Sequence, residues 1–210
     1  MAGLFTIGYS PFSVNGFIDT LLRYSINVVI DVRSLPYSSK YSCYNKENID
    51  NTLKRNKIHY RNYSGEFGAR QTDLQYFSDE KYLDFELFAE SQQFKCGFDK
   101  LKKSIAQGYI IALMCAEKDP ATCHRSIMVS RVFYNKGYGV CHILPDGQTE
   151  EQTDIETQLL DKYFPDWHQP TLFGEQNRDL LIASAYKKRN AEIGYRIKGG
   201  GDEAVHDWVH

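Results

Sequence analysis

Two thiols, two carboxylates, an imidazole and a guanidinium crowd into eleven residues, Cys115-Ala-Glu-Lys-Asp-Pro-Ala-Thr-Cys-His-Arg125. A thiol can attack an electrophile once it is ionised, a carboxylate can carry a proton, and a guanidinium can hold a phosphate or carboxylate. Cys123 is therefore a candidate nucleophile or redox thiol, Glu117 a candidate acid or base, and His124 and Arg125 candidates for holding an anion. Cys115 ends an apolar run, where a thiol often serves as a small hydrophobe, yet it stands beside the same chemistry. Asp31 and Arg33 form a second charged pair, in Asn27-Val-Val-Ile-Asp-Val-Arg33, and repeat the pattern of polar groups closing an apolar segment.

The surrounding elements decide whether these groups meet. Tyr109 to Met114 has the composition of a buried strand, and Ser126 to Lys136 that of a helix ending at Gly137, so the cluster falls on a strand-to-helix turn. Leu4 to Ile7 reads as a first strand, followed by Ser13 as a cap and a stripe of Val14, Phe17, Ile18, Leu21 and Leu22 at helical spacing. Residues 27–33, 58–63 and 139–144 supply further strands, and 46–57 a helix. The stretch 71–107 reads as mostly helical. Repeated β-α-β units make parallel strands with right-handed crossovers, which brings the strand ends to one edge. The expected fold is α/β, a Rossmann-like three-layer sandwich with a mostly parallel sheet and helices on both faces. In such sheets ligands bind at the carboxyl edge. Residues 1–147 are expected to form the α/β domain, 148–197 a helical extension packed on it, and 198–210 a glycine-rich flexible tail.

The start of the helix after residue 119 governs the behaviour of Cys123. Asp119-Pro120 is a good cap and first-position pair, but Thr122 is also a legitimate cap and would place Cys123, His124 and Arg125 in the first turn. The Thr122 start is favoured here. A metal ion is not expected. Cys115, Glu117, Cys123, His124 and His142 are all permissible ligands, but no CxxC or HxxxH pair occurs, and neighbours on a helix point apart. The Cys-x5-Arg phosphate loop is also absent, because Ala121 fills the arginine position. No GxGxxG or GxxxxGK[ST] loop is present, and no cofactor is expected.

Composition sets the outer bounds. With a formal net charge of −2 the chain has no global attraction to nucleic acid, although Lys54, Arg55, Lys57 and Arg61 could form a local basic strip near Tyr37–Tyr44 and Tyr63. Five cysteines, an odd number without a framework, suit reduced thiols and a cytoplasmic setting. No apolar run approaches the ~20 residues of a membrane span, and no membrane partner is expected.

An ordered set of motifs resembles one known family. Thr6-Ile-Gly-Tyr-Ser10, Asp31-Val-Arg33 with Pro36, Tyr60, Phe67-Gly-Ala-Arg70, Met114-Cys-Ala-Glu117 with Pro120, Cys123-His-Arg125 and His142-Ile143 look like the pattern of the domain of unknown function 488 family. The resemblance spans residues 4–145 and implies an α/β sandwich that gathers these motifs, without supplying a reaction. The resulting expectation is a hydrolase or transferase acting on a small anionic ligand, a nucleotide or phosphorylated metabolite. Glu117, Asp31, Cys123 and Cys115 would do the chemistry; Arg33, Arg125, His124, Tyr9, Ser10, Gly8 and Arg70 would hold the anion. The alternative is a non-catalytic nucleotide or nucleic-acid binding module.

Overall fold

The computed structural model of the chain describes residues 3–170 and 176–197. Four apolar segments, Leu4–Gly8 (β1), Val28–Asp31 (β2), Ile111–Cys115 (β4) and Val140–Ile143 (β5), join His59–Asn62 (β3) and Thr149–Glu151 (β6) in one six-stranded sheet of order β3-β2-β4-β1-β5-β6. All pairings are parallel except β5 with β6, an edge hairpin closed around Gly147 at φ +79°. Strands β2 and β4 are buried at every residue, which is why they read as continuous apolar runs.

Helices cover both faces. Val14–Arg23 (α1), capped by the Ser13 hydroxyl, and Lys46–Arg55 (α2) bury Phe17, Leu21, Ile49 and Leu53 against Val29, Ala112 and Met114. On the other face Gln92–Ala106 (α5), Arg131–Asn135 (α6), Gln152–Tyr163 (α7) and Arg178–Ile193 (α8) contribute Phe94, Phe133, Ile155 and Tyr186 to a core with Leu4, Ile30, Leu113 and Cys115. This is the expected three-layer α/β sandwich. Tail residues 198–210 lie outside the described residues. Among those described, no helix is long and apolar enough to cross a membrane.

Three local departures from the sequence reading have physical causes. Residues 71–84 are not helical apart from a 3-10 turn at Leu74–Tyr76; the short helix Phe85–Ala89 (α4) and α5 begin only where Asp84 and Ser91 cap free backbone N–H groups. A one-turn helix, Ser64–Phe67 (α3), follows β3, where the sequence reading places no element. Leu22 falls off the buried stripe of α1 and is half exposed.

Topology sets where a site would lie. The connections leaving β1 and β2 go to the α1/α2 face, whereas the one leaving β4, which lies between them, goes to the opposite face. Such a reversal between adjacent strands puts the carboxyl end of β4 at the usual binding position in open α/β sheets. Gly8 holds this edge together. Beyond it the Tyr9 and Ser10 amides bond to the Cys115 and Ala116 carbonyls at 3.0 and 3.2 Å, and a Cβ on Gly8 would overlap the Glu117 carbonyl. Gly8→Ala is therefore expected to destabilise the chain by about 2–3 kcal/mol or more through backbone displacement. Urea denaturation checks this, and an unchanged midpoint would contradict it.

Candidate active site

The turn after β4 is built from two short helical pieces with an extended residue between them. Asp119 accepts the Ala121 amide and opens a 3-10 turn, Pro120–Thr122; Cys123 is extended at φ −124° and ψ 139°; His124 then caps a π-helical segment, Arg125–Ser130, that runs into α6. The expected start, with Thr122 as cap and Cys123, His124 and Arg125 in the first turn, is corrected for Cys123, which lies outside the helix, while His124 and Arg125 do stand in its first turn. The Thr122 hydroxyl donates backward to the Asp119 carbonyl at 3.1 Å, and the Asp119-Pro120 signal acts one turn too early to carry the long helix. Because Cys123 is extended, its side chain and that of His124 converge, whereas successive helical residues would diverge.

The result is a compact cluster. The Cys115 and Cys123 thiols lie 2.7 and 3.1 Å from Glu117 Oε2, and 3.9 and 3.8 Å from His124 Nδ1. His124 Nε2 sits 2.9 Å from the Val32 carbonyl, so it carries a proton and donates it there, leaving Nδ1 turned to the sulfurs. Both thiols are buried, while Glu117 as a residue stays open to solvent with Oε2 turned inward. Glu117 is thus the solvent-exposed member of the cluster.

Electrostatics within the cluster is mutual. Burial resists ionisation of Cys123, but the Cys115 hydrogen bond and the Arg125 and His124 charges outweigh it and hold this thiol well below the usual range. Burial and the neighbouring Cys123 sulfur push Cys115 up, so of the two Cys123 is the thiolate. Burial, with the Cys123 charge, also raises the Glu117 carboxyl. For His124 burial works against protonation, yet Cys123 and Glu117 push its pKa up to about 9.

Arg125 anchors the turn from beneath. It is fully buried and donates to the Glu117 carbonyl at 2.6 Å, the Lys118 carbonyl at 3.4 Å and the Thr6 hydroxyl at 3.3 Å. From Thr6 a buried chain continues to His142 Nδ1 (2.8 Å), from His142 Nε2 to Gln152 Oε1 (2.9 Å), and from the Gln152 amide to the Tyr186 hydroxyl (2.7 Å). Every link has one donor and one acceptor if Thr6 donates to a His142 protonated on Nε2. The chain ties α7 and α8 to the floor of the site.

Asp31 and Arg33 form a separate bidentate pair, Nε to Oδ1 at 2.9 Å and Nη2 to Oδ2 at 2.6 Å, completed by the Tyr60 hydroxyl on Oδ2 (2.7 Å) and the Tyr44 carbonyl on Nη2 (2.8 Å). Despite burial, Asp31 holds the Arg33 guanidinium firmly charged. Such a sealed pair fixes geometry, since removing one partner costs ~3–5 kcal/mol by leaving the other buried and unpaired. Arg33 also donates to the Tyr9 hydroxyl at 3.3 Å, and Tyr9 stacks on Tyr44 at 4.3 Å. The pair thus abuts the cluster without joining its proton exchange.

Of the sequence candidates, Cys115, Glu117, Cys123 and His124 are brought together, with Arg125 behind them. Arg33, Asp31 and Tyr9 stand alongside as support, and the Gly8 and Ser10 backbones are spent on closing β1 onto β4. Arg70 is not in the cluster: it is exposed, its amide bonds to the Ser34 hydroxyl (2.8 Å), and its guanidinium lies 5.9 Å over the Tyr195 ring. The strip proposed for nucleic acid is also altered. Tyr44 is sealed in the core and Lys54 pairs with Asp50 at 2.8 Å. Sequence reasoning missed Thr6, Gln152 and Tyr186; the available signal was a threonine and a histidine within otherwise apolar strands.

With this geometry in place, comparison with known proteins gives one result. The model for the family described as domain of unknown function DUF488 matches residues 13–132, more than half of the chain. The chain belongs to the DUF488 family. The matched region holds the Asp31–Arg33 pair and the whole Cys115 to Arg125 cluster; β1, His142 and helices α7 and α8 fall outside it. No curated protein and no solved structure matches the chain.

His142 gives a pH test of the buried chain. Burial, assisted by the Arg125 charge, pushes its pKa down to about 3. An unfolded histidine binds its proton near pH ~6.5, so unfolding takes up a proton between these limits and stability falls as the pH falls. From pH 7 to pH 5 this group should remove about 2 kcal/mol of stability. Urea unfolding of the His142→Gln variant should lack that share of the pH slope; equal slopes in both proteins would contradict the assignment.

Proposed function

We propose that this DUF488 protein is an enzyme acting on a small anionic molecule, a nucleotide or phosphorylated metabolite, in the crevice at the carboxyl end of β4. One observation carries the reading: the ligand atoms of two thiols, an imidazole and a carboxylate lie within 4.8 Å of one another where the connections of adjacent strands diverge. Structural needs do not explain that convergence, because each buried polar group in it raises the cost of folding unless its partners are supplied. Perturbed ionisable groups in a cleft are the usual mark of chemistry.

Glu117 is the proposed acid–base group. The residue is open to solvent, its carboxyl pKa is raised by burial of the inward oxygen, and that oxygen lies within hydrogen-bond reach of both sulfurs. The preference for an anion rests on charge. Arg33 is neutralised by Asp31, but the buried Arg125 guanidinium donates to neutral carbonyls and a hydroxyl and, among the described residues, pairs with no carboxylate, so it and the protonated His124 set two positive charges against the Cys123 thiolate. Arg125 acts through the turn it holds and is a positioning residue. Five free cysteines support a reducing, cytoplasmic setting.

The test is incubation with a panel of nucleotides and phosphorylated metabolites, products being read by mass spectrometry, followed by Glu117→Gln on each reaction found. Turnover should fall by about 10²–10⁴-fold with the thermal unfolding temperature little changed. Undiminished turnover in Glu117→Gln would remove Glu117 from the mechanism. A ligand held in the crevice and never converted would favour the binding-module alternative.

A further inference from the structure

We propose that Cys115, Cys123 and His124, with Glu117 on the open side, bind one divalent transition-metal ion of the zinc class, which serves as the resident cofactor of the enzyme proposed above. The cofactor role rests on that reading; the binding itself does not. The donor set comes first. Two thiolates and an imidazole with a carboxylate are the ligands a borderline-soft ion takes, and a mixed sulfur and nitrogen set points to tetrahedral zinc over magnesium or calcium.

Geometry supports the assignment independently. Bonds of ~2.3 Å to sulfur and ~2.0 Å to nitrogen at tetrahedral angles set S···N edges of about 3.5 Å. The two S···N separations here are 3.9 and 3.8 Å, within a few tenths of an ångström of that edge. Glu117 Oε2, at 2.7 and 3.1 Å from the sulfurs, is closer than an edge of comparable length, so an incoming ion displaces it outward. It is the one ligand on the solvent side, and a water or substrate atom can take its position. That is the pattern of a catalytic site, with three fixed ligands and one exchangeable position.

The imidazole is already oriented for the task. The Val32 carbonyl, 2.9 Å from Nε2, fixes that nitrogen as the donor, so Nδ1 is the one turned to the sulfurs and offers its lone pair once a metal displaces its proton, the outer-shell arrangement found around metal-binding histidines. Charge also balances. Two thiolates and a carboxylate carry three negative charges, which a divalent ion and the adjacent buried Arg125 guanidinium sum to zero. The sequence argument against a metal rested on the lack of a CxxC or HxxxH pair and on the divergence of helical neighbours; the second ground falls because Cys123 is not helical, and the fold brings Cys115 to Cys123 without a short-spaced pair.

The experiment uses the full chain, stripped with a chelator and titrated with cobalt(II) or zinc chloride. One equivalent of cobalt should bind with a thiolate-to-cobalt charge-transfer band and strong tetrahedral d–d absorption, zinc should displace it, and magnesium should give neither effect. Cys115→Ser, Cys123→Ser and His124→Gln should each weaken binding by at least about 10–100-fold, while Cys43→Ser and Cys96→Ser, at exposed thiols, leave the spectrum unchanged. If a cluster variant fails to fold, the spectrum of the unaltered chain still decides. Cobalt bound without a sulfur band, or no binding of cobalt or zinc, overturns the proposal; if Glu117→Gln still abolishes turnover in that case, the enzyme reading stands alone. Binding through these side chains in a protein whose turnover survives Glu117→Gln upholds the metal and removes Glu117 from the mechanism.

Discussion

A buried guanidinium holds the turn on which the whole site depends. Arg125 is fully enclosed, and its donors reach back to the Glu117 and Lys118 carbonyls and across to Thr6 on β1. An isolated buried charge is expensive, so it persists where hydrogen bonds and a nearby anion compensate it. Here the carbonyls satisfy the donors and the Cys123 thiolate answers the charge. The same contacts oblige the chain leaving β4 to curl back over its own end, and that curl sets Glu117 and Cys123 against Cys115.

The remaining structure defends this arrangement from three sides. β1 is pressed against the curl because Gly8 lacks a side chain, the residue just after β2 supplies the Val32 carbonyl that orients His124, and the Asp31–Arg33 pair with Tyr60 and Tyr44 stiffens the neighbouring strand end. The π-helical segment adds a further constraint. Such segments are uncommon and recur at functional sites, and this one begins at Arg125, with the Ser130 hydroxyl returning to the Arg125 carbonyl at 2.8 Å. Through Thr6, His142 and Gln152 the arrangement reaches Tyr186 on α8, so the last helix is tied to the floor of the site by a buried polar chain.

Most of the architecture was legible because it follows from period and composition. Buried parallel strands write apolar runs, and α1 and α2 write stripes, whatever their tertiary partners. The edge strand β6 was not legible, since its three residues, Thr149 to Glu151, have no apolar pattern and exist through pairing with β5. Within the site, residue types announced the cluster, but their division of labour was hidden. Arg33 and Arg125 look alike in sequence as anion holders; one is consumed by a carboxylate two residues away and the other by main-chain carbonyls. Cys123 was hidden for a different reason. Two plausible caps competed for one helix, and the chain uses the first for a 3-10 turn and leaves an extended residue before the second piece, which no local propensity specifies.

The account depends on the four side chains forming one electrostatic unit, and His124 reports on that most directly. In metal-free protein, ¹⁵N NMR of the imidazole, assigned by its loss in His124→Gln, should show Nε2 protonated throughout and Nδ1 releasing its proton only near pH 9, because the Cys123 thiolate and Glu117 stand beside it. An ordinary midpoint near ~6.5 with mixed tautomers would mean that the sulfurs, the carboxylate and the imidazole do not share one site.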